Sequence, residues 1–189
     1  MLAALRQLPR SVVFIGLVSC FNDLASEMVT PLIPLLLAGT ASGAVALGLI
    51  EGLAEAVSAL IKLWAGQQSD RLGRRKPFAL AGYALSNLAR PLMGLASGWG
   101  QILLLRCLDR VGKGIRSAPR DALLADAVPA AQSGLAFGLH RAFDNAGAVG
   151  GALLAALVLS CFQLPLGAVI LLSALPGTLA LAALALGVR

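Results

Sequence analysis

Acidic and basic residues interrupt the longest apolar stretches of this sequence, where a charge is costly. They are Asp23, Glu27, Glu51, Glu55, Arg90, Arg106, Asp109, Arg110, Arg141 and Asp144. A charged side chain at the centre of a membrane helix costs about 2.5–3.5 kcal/mol on an insertion scale, so such residues mark pathways for ions, protons or solutes. We therefore expect a polar interior, enclosed by helices, through which a small solute or a proton moves.

The spacing of these residues indicates which helix faces carry them. Asp23 and Glu27 are four residues apart, so they lie on one face of a helix. Arg141 and Asp144 are three apart and can pair locally. A further stripe follows one helix: Arg106, Asp109, Arg110, Lys113, Arg116 and Arg120. We predict that the acids and bases of different helices face each other, either along a pathway or as ion pairs that only fix the helix packing.

The other reactive residue types form no catalytic or metal-binding pattern. His140 is the only histidine, and Cys20, Cys107 and Cys161 match no zinc or redox spacing. The sequence contains no nucleophile triad and no phosphate loop. We expect no enzymatic activity, no cofactor and no metal. A nucleic-acid partner is not expected either, because the basic residues lie at helix ends rather than on one soluble face.

Composition indicates the elements that position these charges. Of the 189 residues, 58% are hydrophobic and 13% are charged, and the mean hydropathy is +0.85. Soluble domains carry about 45–50% apolar and about 25% charged residues, so a soluble protein is excluded. We predict one all-α domain over residues 1–189, embedded in the lipid bilayer by six helices. The predicted spans are 12–37, 44–65, 77–96, 99–117, 133–158 and 163–187.

The positions of Lys and Arg predict the orientation of these spans. The connections 38–43, 97–98 and 159–162 contain neither residue. Nine basic residues gather on the other side: Arg6, Arg10, Arg71, Arg74, Arg75, Lys76, Arg116, Arg120 and Arg189. Because basic loops stay in the cytoplasm, both termini and the loop 66–76 are expected there.

Small residues predict where helices approach closely. Glycines spaced by four allow close helix contact in lipid. Such pairs are Gly48/Gly52, Gly94/Gly98, Gly134/Gly138 and Gly147/Gly151. Prolines inside the predicted spans should bend or break them. These are Pro31, Pro34, Pro91 and Pro176.

The loop after the second helix carries a motif. Residues 66–77 read Gly-Gln-Gln-Ser-Asp-Arg-Leu-Gly-Arg-Arg-Lys-Pro. Gly66 permits a neighbouring helix to approach, and Gly73 permits a tight reversal. Asp70 can meet an arginine or a helix N-terminus, and the basic residues can meet anionic headgroups. This pattern resembles the signature loop of the major facilitator superfamily of secondary transporters.

The resemblance implies two inverted three-helix repeats, with the first and fourth helices lining a central cavity. It also implies a pathway for substrate or protons and a cytoplasmic gate. We expect the pathway residues to be Asp23, Glu27, Arg106, Asp109, Arg110, Arg141 and Asp144. We expect the gate residues to be Gly66, Asp70, Arg71, Gly73, Arg74 and Arg75. In the gate, Asp70 would form a latch with Arg71 and Arg74.

A complete member of that family has two six-helix halves. The chain is therefore expected to be the N-terminal half of a permease in a prokaryotic plasma membrane, which moves a small solute by alternating access. Asp23 and Glu27 would bind the substrate or a proton, with Arg110 and Asp109 as their partners. Two alternatives stay open: a chain that transports only as a homodimer or heterodimer, and a non-transporting remnant or assembly subunit.

Overall fold

The computed structural model describes residues 8–38 and 43–188, and these are almost entirely helical. The helices are α1 (Arg10–Glu27), α2 (Ile33–Leu37), α3 (Gly43–Leu72), α4 (Arg75–Leu92), α5 (Trp99–Asp126), α6 (Ser133–Phe162), α7 (Leu166–Leu172) and α8 (Ala174–Gly187). Short 3-10 turns lie at Thr30–Leu32, Met93–Leu95 and Ala130–Gln132. No strand occurs in the described ranges. Arg6, residues 39–42 and Arg189 lie outside them.

Two of the segments that cross the bundle are each divided into two helices. Pro31 and Pro34 lie in and just after the 3-10 turn between α1 and α2, where a proline removes the hydrogen bond of an α-helix. Ser173 separates α7 from α8, and Pro176 follows in the first turn of α8. When α1 is joined to α2, and α7 to α8, the described part of the chain makes six helical passes.

The helix bounds differ from the predicted ones at the basic end of the bundle, which is the end that carries Arg71, Arg74, Arg75 and Lys76. The segment 66–76, predicted as a loop, is helical except for Gly73 and Arg74, because α3 continues to Leu72 and α4 begins at Arg75. Likewise α5 continues to Asp126, beyond the predicted end at 117. Hydropathy marks only the apolar part of a helix. The backbone hydrogen bonds are internal, so the helix continues where its side chains become polar.

Two apolar clusters enclose a polar layer. One cluster includes Met28 of the α1–α2 turn and Ile102 of α5, and the other includes Val12 of α1 and Leu124 of α5. The buried polar side chains lie between them along the helices: Ser19, Asn22, Ser86, Arg90, Arg106, Asp109, Arg116, His140 and Asp144. The buried charges of the described residues therefore lie midway along the helices, whereas the exposed charges of residues 70–76 lie at one end of the bundle.

The order of the two clusters along each helix gives the direction of the passes. The chain reaches the Val12 cluster first in α1, α4 and α6, and the Met28 cluster first in α5 and in α7 followed by α8. The passes therefore alternate in direction. The turns that contain Gly73 and Pro129 lie at the same end of the bundle as the start of α1.

Helix packing follows a regular pairing. Helix α1 packs against α6 and α8, whereas α5 packs against α3 and α4. Close approach depends on glycine: a Cβ at Gly147 or Gly151 of α6 would overlap the backbone of α1, and one at Gly82 would overlap the backbone of α5. In contrast, a Cβ at five of the predicted packing positions would meet no described atom within 4 Å, so the prediction is wrong for them within this part of the chain. They are Gly48, Gly52, Gly98, Gly134 and Gly138.

The outer surface is apolar. Leu60, Leu63 and Leu186 are 70%, 69% and 85% exposed, and many other leucines are exposed with them. By length and apolarity, four segments could span a membrane: Arg10–Leu37, Ala44–Leu72, Ala130–Phe162 and Leu166–Gly187. Helices α4 and α5 are not among them because they carry more charged residues. A soluble protein rarely exposes so large an apolar surface, whereas a lipid-facing one requires it.

Candidate functional site

A buried ion pair joins α4 to α5. Arg90 Nε donates to Asp109 Oδ1 at 2.8 Å, and the two side chains are 2% and 0% exposed. Arg90 Nη1 also donates to the backbone oxygen and to Oδ1 of Asn22 on α1, at 3.1 and 3.0 Å. The guanidinium therefore links three helices, and the Asp109 carboxylate balances its charge.

A second buried arginine binds α3. Arg106 Nε lies 2.9 Å from Glu51 Oε1, and Arg106 Nη2 lies 3.2 Å from Glu51 Oε2, which is a bidentate arrangement. Arg106 Nη1 is also 3.5 Å from Asp109 Oδ2. Arg90 and Arg106 thus share one buried carboxylate, and this network fixes α3, α4 and α5 relative to one another.

The next bases of α5 are held less closely. Arg110 Nη2 is 3.6 Å from Glu51 Oε2, and Arg110 Nε is 3.6 Å from Glu55 Oε2. Lys113 Nζ is 4.0 Å from Glu55 Oε2. These distances exceed the 2.7–3.2 Å typical of a hydrogen bond, and the buried Nε of Arg110 has no hydrogen-bond partner. Arg110 and Lys113 are therefore ion-paired with α3 at longer distances than Arg106 is.

A polar cavity of about 260 Å³ lies between α1, α5 and α6. Five basic and three acidic side chains line it, together with two serines. The lining residues are Asp23, Ser26, Glu27, Arg110, Lys113, Arg116, Ser117, Arg120, Arg141 and Asp144. Ligand pockets usually measure about 300–1,000 Å³, so this cavity suits a small solute or one part of a larger one.

The predicted pathway residues separate into two groups. Asp23, Glu27 and Arg110 line the cavity, as do Arg141 and Asp144. The other two, Arg106 and Asp109, are fully buried and lie in the ion-pair network instead. Their positions on the stripe of α5 point them towards α3 and α4 rather than towards α1.

Asp23 and Glu27 form no direct ion pair with the partners predicted for them, Arg110 and Asp109, in the described part of the chain. Neither carboxylate forms an ion pair within 4.0 Å in the described ranges, and Asp23 accepts only a hydrogen bond from Asn22 Nδ2 at 3.0 Å. Arg110 is paired instead with Glu51 and Glu55. The reason is packing: α3 lies directly against α5, so its acids reach these bases first.

A hydrogen-bonded cluster connects α6 to the same cavity. Ser19 Oγ lies 2.7 Å from His140 Nε2, and His140 Nδ1 lies 3.5 Å from Asp144 Oδ2. Arg120 Nη1 lies 3.4 Å from Ser19 Oγ. Arg141 Nη1 lies 3.7 Å from Asp144 Oδ2, which is the local pairing expected from their spacing. The single histidine is therefore buried beside the cavity.

The signature motif lies at the basic end of the bundle. Asp70 Oδ1 is 3.5 Å from Arg75 Nη2, and Arg75 also pairs with Asp126 at the end of α5. Gly73 has a φ of +60°, which favours glycine, and its N–H donates to Asp70 O at 3.3 Å. These residues border a recess of about 570 Å³. The motif therefore connects the α3–α4 turn to α5.

The remaining motif residues have different surroundings. Arg71 and Arg74 are exposed, so the partner of Asp70 is Arg75 and not the two arginines that were predicted. A Cβ added at Gly66 would lie 3.2 Å from Ala118 Cβ of α5, in agreement with a role in close helix packing. Arg75 therefore forms one ion pair within the motif and one with another helix.

Several polar residues of the site are missing from the predicted set. Arg116 is 4% exposed, donates from Nη1 to Ser86 Oγ at 2.8 Å, and lies 4.7 Å from the centre of the Tyr83 ring. Ser86 Oγ donates to Asp109 O at 2.9 Å. A polar residue within an apolar segment, as with Asn22, is the signal that could have identified them.

The described residues contain no group of three or more His, Cys, Asp or Glu side chains placed to hold a metal ion. The carboxylates nearest the cavity alternate with guanidinium and ammonium groups. Such a lining can bind a charged or polar solute by hydrogen bonds and electrostatic contacts.

Comparisons with known proteins agree with the membrane fold. The family model of the Major Facilitator Superfamily matches residues 15–189. An uncharacterized MFS-type transporter of Methanocaldococcus jannaschii is 38% identical over 176 residues, which are 93% of this chain and 44% of that protein. Uncharacterized proteins of Mycobacterium bovis and Mycobacterium tuberculosis are 31% identical over 175 residues, which are 93% of this chain and 43% of each of those proteins. The chain spans less than half the length of these relatives.

Proposed function

The chain belongs to the major facilitator superfamily and is an integral membrane protein, and on this premise we propose that it forms one six-helix half of a secondary transporter. In this proposal a small solute crosses the membrane by alternating access, and a second six-helix half completes the pathway. The second half is supplied by the same polypeptide or by a partner chain. The reaction is transport, without covalent chemistry.

The observation that carries the proposal is the polar cavity between α1, α5 and α6. Charged side chains that line a space inside a bundle with an apolar exterior are expensive unless they contact water or a solute. Asp23 and Glu27 lack ion-pair partners among the described residues, although Arg110 pairs with the acids of α3. A packing network alone would leave no such unpaired acids beside a cavity.

The helix pairing supports two inverted repeats, one with α1–α4 and the other with α5–α8. The first helix of each repeat packs on the other repeat: α1 on α6 and α8, and α5 on α3 and α4. A pseudo-two-fold axis in the membrane plane would exchange these pairs. Under this arrangement α1 and α5, which supply most of the cavity lining, occupy equivalent positions.

Asp70, Arg75 and Asp126 are the proposed latch of the cytoplasmic gate. The Arg75 guanidinium bridges the α3–α4 turn to the end of α5, and it is the only side chain of the motif that contacts both carboxylates in the described ranges. Separation of these helices during a transport cycle would break the bridge. The latch therefore favours the conformation that this structure has.

Asp23 and Glu27 are the proposed proton-coupling groups. Both are part of the cavity wall that α1 contributes, and carboxylates in membrane helices serve as proton carriers in transporters. Asp23→Asn and Glu27→Gln should abolish the dependence of flux on a pH gradient. A proton-driven flux that survives both substitutions would eliminate the coupling role.

We place the end that carries Arg71, Arg74 and Arg75 in the cytoplasm of a prokaryotic cell, together with both termini. Positive charge near membrane-spanning segments stays on the cytoplasmic side. The turns with Gly73 and Pro129 lie at that same end, and the connection at 97–98 lies at the other. The plasma membrane is the proposed location.

Flux through the cavity tests the proposal. The native polypeptide that contains this chain is reconstituted in liposomes, and uptake of labelled sugars, amines and organic acids is measured. Ser117→Trp, which fills part of the cavity, should lower uptake strongly, whereas Leu60→Trp on the outer surface should not. Equal uptake by Ser117→Trp would contradict a pathway through this cavity. A folded protein without any flux would favour the non-transporting subunit.

A further inference from the structure

We propose that the cavity between α1, α5 and α6 binds the oxyanion group of a small anionic solute, a carboxylate or a phosphate, with Arg116 as the anchor. This inference rests on the proposed transport function, because it names the class of solute that the pathway accepts. It depends on how each buried cation of the bundle is neutralised.

Arg116 is a buried cation beside the cavity without a carboxylate partner. Its side chain is stacked on Tyr83 and donates to Ser86 Oγ, both neutral groups. Its buried Nε atom has no hydrogen-bond partner. Along the described chain, no carboxylate oxygen lies within 4.0 Å of its guanidinium, although it is 4% exposed. A buried cation of this kind is stabilised by an incoming anion.

The other deeply buried arginines differ from Arg116 in this respect. Arg90 has Asp109 at 2.8 Å, and Arg106 has Glu51 at 2.9 Å. The fold thus provides a carboxylate for each arginine that connects helices away from the cavity. Among the described residues, Arg116 is the buried arginine that lines the cavity, and the groups in direct contact with its guanidinium are neutral. This arrangement favours a ligand that brings a negative charge.

Two more cations line the same wall. Arg110 and Lys113 precede Arg116 at intervals of three residues, so all three lie near one face of α5. Their carboxylate contacts are 3.6 Å or longer, and Arg110 Nε has no hydrogen-bond partner. A guanidinium fork binds an oxyanion through paired hydrogen bonds, and an ammonium adds a point charge. The wall is therefore suited to an oxyanion.

Asp23 and Glu27 contribute the opposite charge to the cavity. Both line it from α1 and repel an anion, so the loss of either charge should strengthen anion binding. A cationic solute would respond in the opposite direction. The sign of the change on neutralising Glu27 therefore distinguishes an anion site from a cation site.

Equilibrium binding to the native polypeptide in detergent tests this site, with inorganic phosphate, succinate and choline as separate probes in titration calorimetry. Phosphate or succinate should bind and choline should not. Lys113→Gln and Arg116→Gln should each weaken oxyanion binding roughly tenfold or more, and Glu27→Gln should strengthen it severalfold. Lys62→Gln is the matched control, because Lys62 is exposed on α3 and does not line the cavity.

Lys113→Gln keeps the test decisive if Arg116→Gln fails to fold, since the Lys113 side chain is 41% exposed. The proposal is overturned if the folded protein binds neither oxyanion, if Lys113→Gln binds as the unaltered protein does, or if Glu27→Gln weakens binding. Flux of a neutral or cationic solute without oxyanion binding would refute this inference but not transport. Oxyanion binding without flux in liposomes would support this inference and refute the transport function.

Discussion

Removal of the Asp109 carboxylate should destabilise the bundle more than any surface charge does. Asp109→Asn changes the side-chain volume little but leaves Arg90 with only neutral acceptors, at a site where both side chains are almost fully buried. Loss of one partner of a buried ion pair costs about 3–5 kcal/mol. We expect the free energy of unfolding in SDS titrations to fall by about that amount.

Two further variants isolate the cause. Asp126→Asn is the surface control: its side chain is 63% exposed in its pair with Arg75, and exposed pairs contribute about 0–1 kcal/mol. The double variant Arg90→Met with Asp109→Leu removes both charges. It should recover much of the stability lost in Asp109→Asn, because the charge that had lost its partner, that of Arg90, is also removed.

The result that would refute this reasoning is equally specific. A loss of less than about 1 kcal/mol for Asp109→Asn would place the buried pair in the range of an exposed one. The double variant is also compared with its two single variants, Arg90→Met and Asp109→Leu. If its loss of stability equals the sum of their losses, Arg90 and Asp109 are not coupled. Either outcome would contradict the claim that the ion pair between Arg90 and Asp109 stabilises the polar layer.

Three other changes test separate parts of the account. Gly147→Val should lower the free energy of unfolding by about 1–3 kcal/mol, because the backbone of α1 occupies the space that the side chain needs. Gly138→Ala should change it by less than about 1 kcal/mol. Equal effects of the two changes would contradict the close contact between α1 and α6. Asp70→Asn should leave expression intact and slow transport. Unchanged transport would contradict the proposed role of Asp70 in the latch. A membrane-impermeant maleimide should label exposed Cys161 in intact cells, with Cys161→Ser as control; labelling only after lysis would reverse the orientation.

Local spacing predicts contacts within one helix but not the choice of partner between helices. The three-residue interval between Arg141 and Asp144 allows the observed contact directly. The partner of Asp109 could not be predicted in this way, because it depends on which helices approach α5. Those contacts depend on glycines such as Gly82 and Gly112, which are far apart in sequence and form no Gly-x-x-x-Gly pair.

The all-helical fold and the membrane location follow from composition and hydropathy, because lipid requires internal backbone hydrogen bonds over whole spans. The exact helix ends do not. The polar residues after position 65 end the apolar signal, yet α3 continues to Leu72. The unpaired state of Arg116 is also invisible in the sequence, since a stripe of charges does not show which of them receives a counter-ion.

Access of water to the cavity is the most direct test of the central claim. In a variant of the native polypeptide in which alanine replaces every cysteine, among them Cys20, Cys107 and Cys161, Ser26→Cys places a thiol on the cavity wall. Leu60→Cys places one on the apolar exterior. A charged, water-soluble methanethiosulfonate should modify Ser26→Cys in native membranes much faster than Leu60→Cys. Equal and negligible modification of both would contradict a solute pathway at this site.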